Sequence, residues 1–221
     1  ASRVYWNDNI WRHSEESRIQ KVIRPFLDWA EGSLHPKSRI GEFRASHSGL
    51  STEASRRFKE FASFETYTSP AVVSPLPKNT LDAIFLLDVF DRSENPTEVL
   101  KQAHASLTSG GLVFATCTLS TGFDVLVMGQ NHSGVFPPDR LNCLSFEGAV
   151  QLFERTGFEI VEFSTPGALD VSSLQAQISK DHWLNYWLNE RDDENLHTDL
   201  QNFLQAHRLS SKARIQLKKR E

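Results

Sequence analysis

Two acid–base couplets, Asp91-Arg92 and Asp139-Arg140, each set a carboxylate beside a guanidinium. Their guanidiniums stay charged near neutral pH, so neither arginine takes a proton as a general base. Two arginines at one crevice do one of two other things. They hold a phosphate or carboxylate through bidentate forks, or they salt-bridge Asp91 and Asp139. Other chemistries lack their signatures. The eight histidines show no H-x-x-x-H spacing. No serine sits in a G-x-S-x-G elbow, and no G-x-x-x-x-G-K loop followed by Ser or Thr is present. Metal-centre, serine-hydrolase and nucleotide-triphosphatase readings find no support in the motifs.

The elements that must position these couplets centre on Leu81–Leu119. The apolar run Leu81–Phe90, broken only by Asp82 and Asp88, suits a strand buried on both faces of a parallel sheet. Asn95-Pro-Thr-Glu98 reads as a helix start with Asn95 as N-cap, Pro96 in the first turn and Glu98 closing a capping box. Val99, Leu100, Ala103 and Leu107 mark one helical face, and Ser109-Gly110-Gly111 stops the helix. A second apolar run, Leu112–Leu119, completes a right-handed crossover, so the fold class is α/β with a mostly parallel sheet.

Around this unit, Glu15–Ala30 has helical spacing with Pro25 predicting a kink or break, and Ile40–Leu50 holds a strand and turn. Ser51–Phe61 reads as a helix with Ala54, Phe58 and Phe61 inward, followed by a strand over Ala62–Ser69. Too few residues separate that strand from Asp82 for a crossover helix, which takes roughly ten or more, and a further strand. The sheet is therefore expected to lack one strand-and-helix unit, leaving Ala62–Ser69 at its edge. The long connection Ser120–Ser145 is expected to carry a short helix over Phe123–Met128. Ser145 then caps a helix with Phe146, Ala149, Val150 and Phe153 on one face, and Phe158–Phe163 is a strand. Helices are predicted over Asp181–Glu190 and Glu194–His207, the latter with Leu196, Leu200, Phe203 and Leu204 inward. Ala213–Leu217 alternates as a final, antiparallel strand. Strands of such sheets aim their carboxyl ends at one crevice, which gathers Glu42–Gly49, Tyr67–Pro70, Asp88–Ser93 and Cys117–Gly122, with Pro138–Asn142 folding over them.

At 221 residues, 39% hydrophobic and 24% charged, the chain fits one α/β domain with short additions. The division is an aromatic N-terminal segment with helices over 1–37, then the domain over 38–221. A net charge of −4 gives no case for nucleic acid or an anionic membrane as partner. No bilayer-length apolar run or signal peptide is read, and Cys117 and Cys143 are expected to be reduced thiols, so a cytoplasmic location is expected.

Several stretches carry a family resemblance: Asp88-Val-Phe-Asp-Arg-Ser-Glu-Asn-Pro96, Leu107-Thr-Ser-Gly-Gly-Leu112, Phe136-Pro-Pro-Asp-Arg-Leu-Asn142, Phe153-Glu-Arg-Thr-Gly-Phe-Glu159, Thr165-Pro-Gly-Ala-Leu-Asp170 and Phe203-Leu-Gln-Ala-His-Arg-Leu-Ser-Ser211. In order and spacing, from about Leu81 to the C-terminus, they resemble class I S-adenosylmethionine-dependent methyltransferases of a bacterial branch. The resemblance implies a Rossmann-like three-layer sandwich. It also implies a cofactor site at Glu42, Ser46, Gly49 and Asp88. Departures from the family pattern are specific. The three loop-glycine positions hold Arg44, Ser46 and Ser48, with Gly49 just outside them. The ribose-binding acid falls on Tyr67 or Thr68, and Glu65 is the nearest carboxylate. The family's acidic–histidine pairs have become Asp91-Arg92 and Asp139-Arg140, the four candidate catalytic positions.

Two functions follow from the resemblance. In one, the protein is a pseudoenzyme that kept the scaffold, lost the cofactor site and acts as a binding or partner subunit. In the other, it is an active methyltransferase that uses S-adenosylmethionine on a small molecule or sugar.

Overall fold

The run from Leu81 becomes β3 (Leu81–Leu87), buried along its length except at Asp82. In this computed structural model, which describes residues 16–44, 49–65, 78–132, 135, 140–191 and 193–221, β3 lies at the middle of a six-stranded sheet. It pairs in parallel with β1 (Arg39–Arg44) on one side and β4 (Leu107–Thr118) on the other. The order is β2-β1-β3-β4-β6-β5, with β2 at Glu60–Glu65, β5 at Phe158–Ser164 and β6 at Lys212–Lys219. β6 runs antiparallel between β4 and β5, so the other five strands share one direction. The expected central pair is thus present. The strand predicted over Ala62–Ser69 starts earlier, at Glu60, and is the sheet's edge among the described residues.

Alternation along β3 sends its side chains to two cores, as the two-residue strand period requires. Ile84 and Leu86 pack under α3 (Pro96–Ser106) and α5 (Phe146–Arg155) with Val99, Leu100, Ala103, Phe153 and Phe158. Ala83, Phe85 and Leu87 face α1 (Arg24–Glu31) and α2 (Leu50–Arg57) with Phe26, Leu27, Ala54 and Phe58. Phe85 is the centre of that second core, edge-on to Phe26 at 5.3 Å and to Phe114 at 5.8 Å between ring centroids. Such aromatic contacts add about 0.5–1.5 kcal/mol each beyond the area they bury. α1 is fastened further by Trp29, whose Nε1 donates to Glu162 at 2.9 Å while the Arg214 guanidinium lies 4.7 Å over its ring.

Both expected N-caps form, but Glu98 does not close the capping box, because Asn95 N donates to Ser93 Oγ at 3.2 Å. The Asn95 side chain accepts from Glu98 N at 3.1 Å, and the Ser145 hydroxyl accepts from Gly148 N at 2.9 Å. Other readings need correction. α3 ends at Ser106, and Ser109-Gly110-Gly111 already belongs to β4. Leu107 is fully buried and pairs with Leu81, while the next matched pair is Ala83 with Leu112. The intervening residues of β4 therefore bulge opposite Asp82, and Gly110 takes the positive φ of +69° that the bulge needs. Pro25 neither breaks the N-terminal helix nor stands alone. A wide π turn over Ile19–Ile23 precedes it and accommodates the missing N–H and the ring.

α2 stops at Arg57, because Phe58 turns extended and Phe61 enters β2. The helix predicted over Asp181–Glu190 is reduced to a π turn at Tyr186–Glu190. An unpredicted helix, α6, occupies Asp170–Gln177; only Asp170, Val171 and Leu174 of its residues are buried, too thin a stripe to show as periodicity. α4 (Phe123–Met128) and α7 (Glu194–Ala206) stand where expected, although Phe203 is 52% exposed rather than inward.

Candidate functional site

Where β3 ends, Asp88 adopts a left-handed φ of 53°, a conformation non-glycine residues rarely hold and one that turns the chain sharply toward Asp91. Strand β4 fixes this turn. Asp88 N donates to the Thr116 carbonyl at 3.2 Å, and the Thr116 hydroxyl donates to Asp88 Oδ1 at 2.9 Å. Lys212, at the start of β6, brings its ammonium to Asp88 Oδ1 at 3.1 Å, and the Arg92 guanidinium lies 3.8 Å from Oδ2. Burial alone would raise the Asp88 pKa. The positive charges of Lys212, Arg140 and Arg92 outweigh it and hold the carboxyl well below the usual carboxylate range.

Asp91 is more enclosed, at 1% exposure. Its carboxylate accepts the Thr118 N–H at 3.1 and 3.2 Å and a hydrogen bond from Arg140 Nη1. Its carbonyl accepts from Leu141 N at 2.6 Å and Asn142 N at 3.1 Å. The Asn142 amide in turn donates to the carbonyls of Phe90 and Ser93. Residues 140–142 of the long connection are therefore clamped onto the turn after β3. One couplet reaches the other, Arg140 to Asp91, while Arg92 meets Asp88 within its own turn. Of the expected candidates, Asp88, Asp91, Arg92 and Arg140 come together. Asp139 and Ser46 lie outside the described residues, as do Ser48, Tyr67 and Thr68. Arg140 Nε and Thr118 Oγ1 are buried there without a hydrogen-bond partner.

Next to this turn, Glu42 lies within β1 and Gly49 at the start of α2. Glu42 is 1% exposed and accepts from the Ser51 hydroxyl at 2.7 Å. Gly49 is the N-cap of α2 with an ordinary φ of −66°. A Cβ there would meet Ile19 Cγ1 at 3.2 Å and Ile23 Cδ1 at 3.4 Å, so the space over this glycine is taken by the π turn of the N-terminal helix.

Sequence reasoning missed Lys212 and Thr116. Thr116 reads as one more residue of a buried strand. Lys212 becomes visible only once β6 is inserted beside β4, where Thr118 opposes Lys212. It also missed a buried pair in the long connection, Asp124 Oδ2 to His132 Nε2 at 3.0 Å, in which Asp124 further accepts from Val125 N. Neither cysteine has a nucleophile's environment. Burial pushes the Cys117 thiol up to about 12, and burial also raises Cys143. Among the described residues no group of three His, Cys, Asp or Glu could hold a metal ion, and no helix is long and apolar enough to cross a membrane.

A methyltransferase-domain family model matches residues 29–163, more than half of the 221. The chain belongs to the methyltransferase-domain family. No curated protein sequence matches it significantly. Among solved structures, the Haloferax volcanii complex of the Trm112 methyltransferase activator with a candidate methyltransferase is similar, at 10% identity and TM-score 0.59, over 95% of either chain. A Thermotoga maritima S-adenosylmethionine-dependent methyltransferase, described as a possible histamine N-methyltransferase, aligns at 17% identity and TM-score 0.52, over 94% of this chain and 95% of that one. The cyclase SpnF aligns at 15% identity and TM-score 0.52, over 91% of this chain and 82% of its own. At these identities the structures share the Rossmann-like methyltransferase fold, and the six-stranded mixed sheet is that fold's sheet.

Proposed function

We propose that this methyltransferase-domain protein carries a degenerate S-adenosylmethionine site and works as a non-catalytic binding or partner subunit. The observation that carries this reading is the charge arrangement at the end of β3. Asp88 and Asp91 are engaged by three cations, Arg92, Arg140 and Lys212. A cofactor with a sulfonium centre would approach a rim where the carboxylates are already neutralised and cations are in excess. Two further features agree. The couplets offer guanidiniums where a base would need a neutral nitrogen. Gly49, the glycine nearest the cofactor-loop positions, is covered by Ile19 and Ile23 rather than open to a ligand. The described residues therefore fit the cofactor poorly.

The Haloferax relative's complex with an activator protein supports a role in which such a fold works through a protein partner. Native mass spectrometry of the purified full chain tests the reading: the bare chain mass is expected. A retained mass of S-adenosylmethionine or its demethylated product would overturn it.

The second reading is an active methyltransferase using S-adenosylmethionine on a small molecule or sugar. It is favoured by the family match running through β1 and by Glu42 buried on that strand beside the Ser51 hydroxyl. Under it, Glu42, Ser46, Gly49 and Asp88 surround the cofactor, which supplies the methyl group. Arg92, and Arg140 held by Asp91, then orient an anionic acceptor.

A further inference from the structure

Away from the couplets, an open groove of about 270 Å³ runs between the Tyr186–Glu190 turn, α4 and α7. It is lined by Phe123, Trp183, Trp187, Leu188, Leu196 and Leu200 among others, and every lining side chain is apolar. Its wall aromatics stand in water: Trp183 is 68% exposed, Trp187 43% and neighbouring Tyr186 57%. Beneath them Leu174, Leu184, Leu188 and Leu204 form a buried cluster, so the groove has a packed floor. Exposed tryptophans beside such a groove are the residue type that anchors protein interfaces. The volume is below that of most drug-sized pockets, roughly 300–1,000 Å³, and suits the anchor side chains of a docked helix.

Charge narrows the occupant. Between Lys180 and Asp199 the sequence holds six acids, Asp181, Glu190, Asp192, Asp193, Glu194 and Asp199, against two bases, Lys180 and Arg191. That balance of −4 equals the net charge of the whole chain, so the rest of the molecule is balanced and the excess sits on this segment. A second copy docking through the same face would bring like charges together, and an anionic membrane would be repelled. We infer that the groove docks an amphipathic helix of a protein partner, its apolar stripe against Trp183 and Trp187 and its flanks basic. This stands whether or not S-adenosylmethionine binds.

The probe is a fluorescein-labelled synthetic helix of leucine and lysine in amphipathic repeat, titrated against the full chain by anisotropy at physiological salt. A Leu/Glu helix of the same pattern is the control. Saturable binding of the basic helix is expected. It should weaken about tenfold or more in Trp183→Ala/Trp187→Ala, as anchor truncation does. It should weaken several-fold in Asp181→Lys/Asp199→Lys, which leaves the apolar surface intact. Equal affinity for both variants, or equally tight binding of the Leu/Glu helix, overturns the proposal. So does self-association in sedimentation that the tryptophan variant abolishes, which would make a second copy the occupant. Partition onto phosphatidylglycerol vesicles lost in the same variant would assign the groove to a lipid surface instead. Circular dichroism of each variant keeps a folding failure separate from a binding loss, and the charge variant decides the matter if the tryptophan variant does not fold.

Discussion

Replacing Arg140 with methionine tests whether the couplets act as structural ion pairs. Asp91 is 1% exposed, and its carboxylate accepts the Thr118 N–H beside the Arg140 guanidinium. Removing one member of a buried pair costs about 3–5 kcal/mol, because the remaining charge is stranded. Here Arg140 keeps 11% exposure and Thr118 N still donates, so a loss near the lower end, about 3 kcal/mol, is expected. That is a large part of the roughly 5–15 kcal/mol that holds a domain folded. The same change loosens residues 140–142, whose backbone and Asn142 amide are tied to the turn after β3. Urea denaturation of wild type, Arg140→Met, Asp91→Asn and the double variant forms a cycle. A coupling of about 1–3 kcal/mol is expected for side chains in direct contact. A single-variant cost under about 0.5 kcal/mol, or strictly additive singles, would refute the reasoning.

The depressed pKa of Asp88 sets a pH dependence: the unfolded chain binds more protons than the folded one below the ordinary carboxylate pKa of about 3.9, so stability falls as pH drops through that range. Lys212→Met should make that fall shallower in urea melts taken from neutral to acid pH, and an unchanged slope would dismiss the pairing. Asn95→Ala should cost about 1 kcal/mol by leaving Glu98 N uncapped, read by the same melts. Gly122→Ala should cost about 1–3 kcal/mol or more, since its Cβ would land on the backbone of Ser211; a neutral melting temperature would show that this corner is looser than drawn.

Much of the fold is legible because strong local signals agree with it. The doubly buried run at β3, the Asn95-Pro96 start and the Ser145 cap each specify one answer, and the short span before Asp82 predicts the β2 edge. Boundaries failed where tertiary pairing overrode local chemistry. Gly110 and Gly111 read as a helix stop, yet the burial of Leu107 against Leu81 draws the chain into β4 before it reaches them. The site was legible in its residues but not in its pairing. Asp88, Asp91, Arg92 and Arg140 are legible as candidates, while the Arg140–Asp91 bond depends on where the long connection closes. Lys212 is more than 120 residues from Asp88 in sequence, and only the insertion of β6 beside β4 brings it there. The groove is equally hidden, because its segment reads simply as two helices, and only the fold leaves Trp183 and Trp187 exposed beside it.

Calorimetric titration of the full chain with S-adenosylmethionine tests the central claim most directly. Loss of a charged bidentate hydrogen bond and of close backbone approach at the loop each cost about 1–3 kcal/mol. Together they predict affinity weaker by about two orders of magnitude or more, since roughly 1.4 kcal/mol is tenfold. The account predicts no saturable heat at cofactor concentrations that fill a working methyltransferase. Saturable binding at micromolar concentration would contradict it and restore the enzyme.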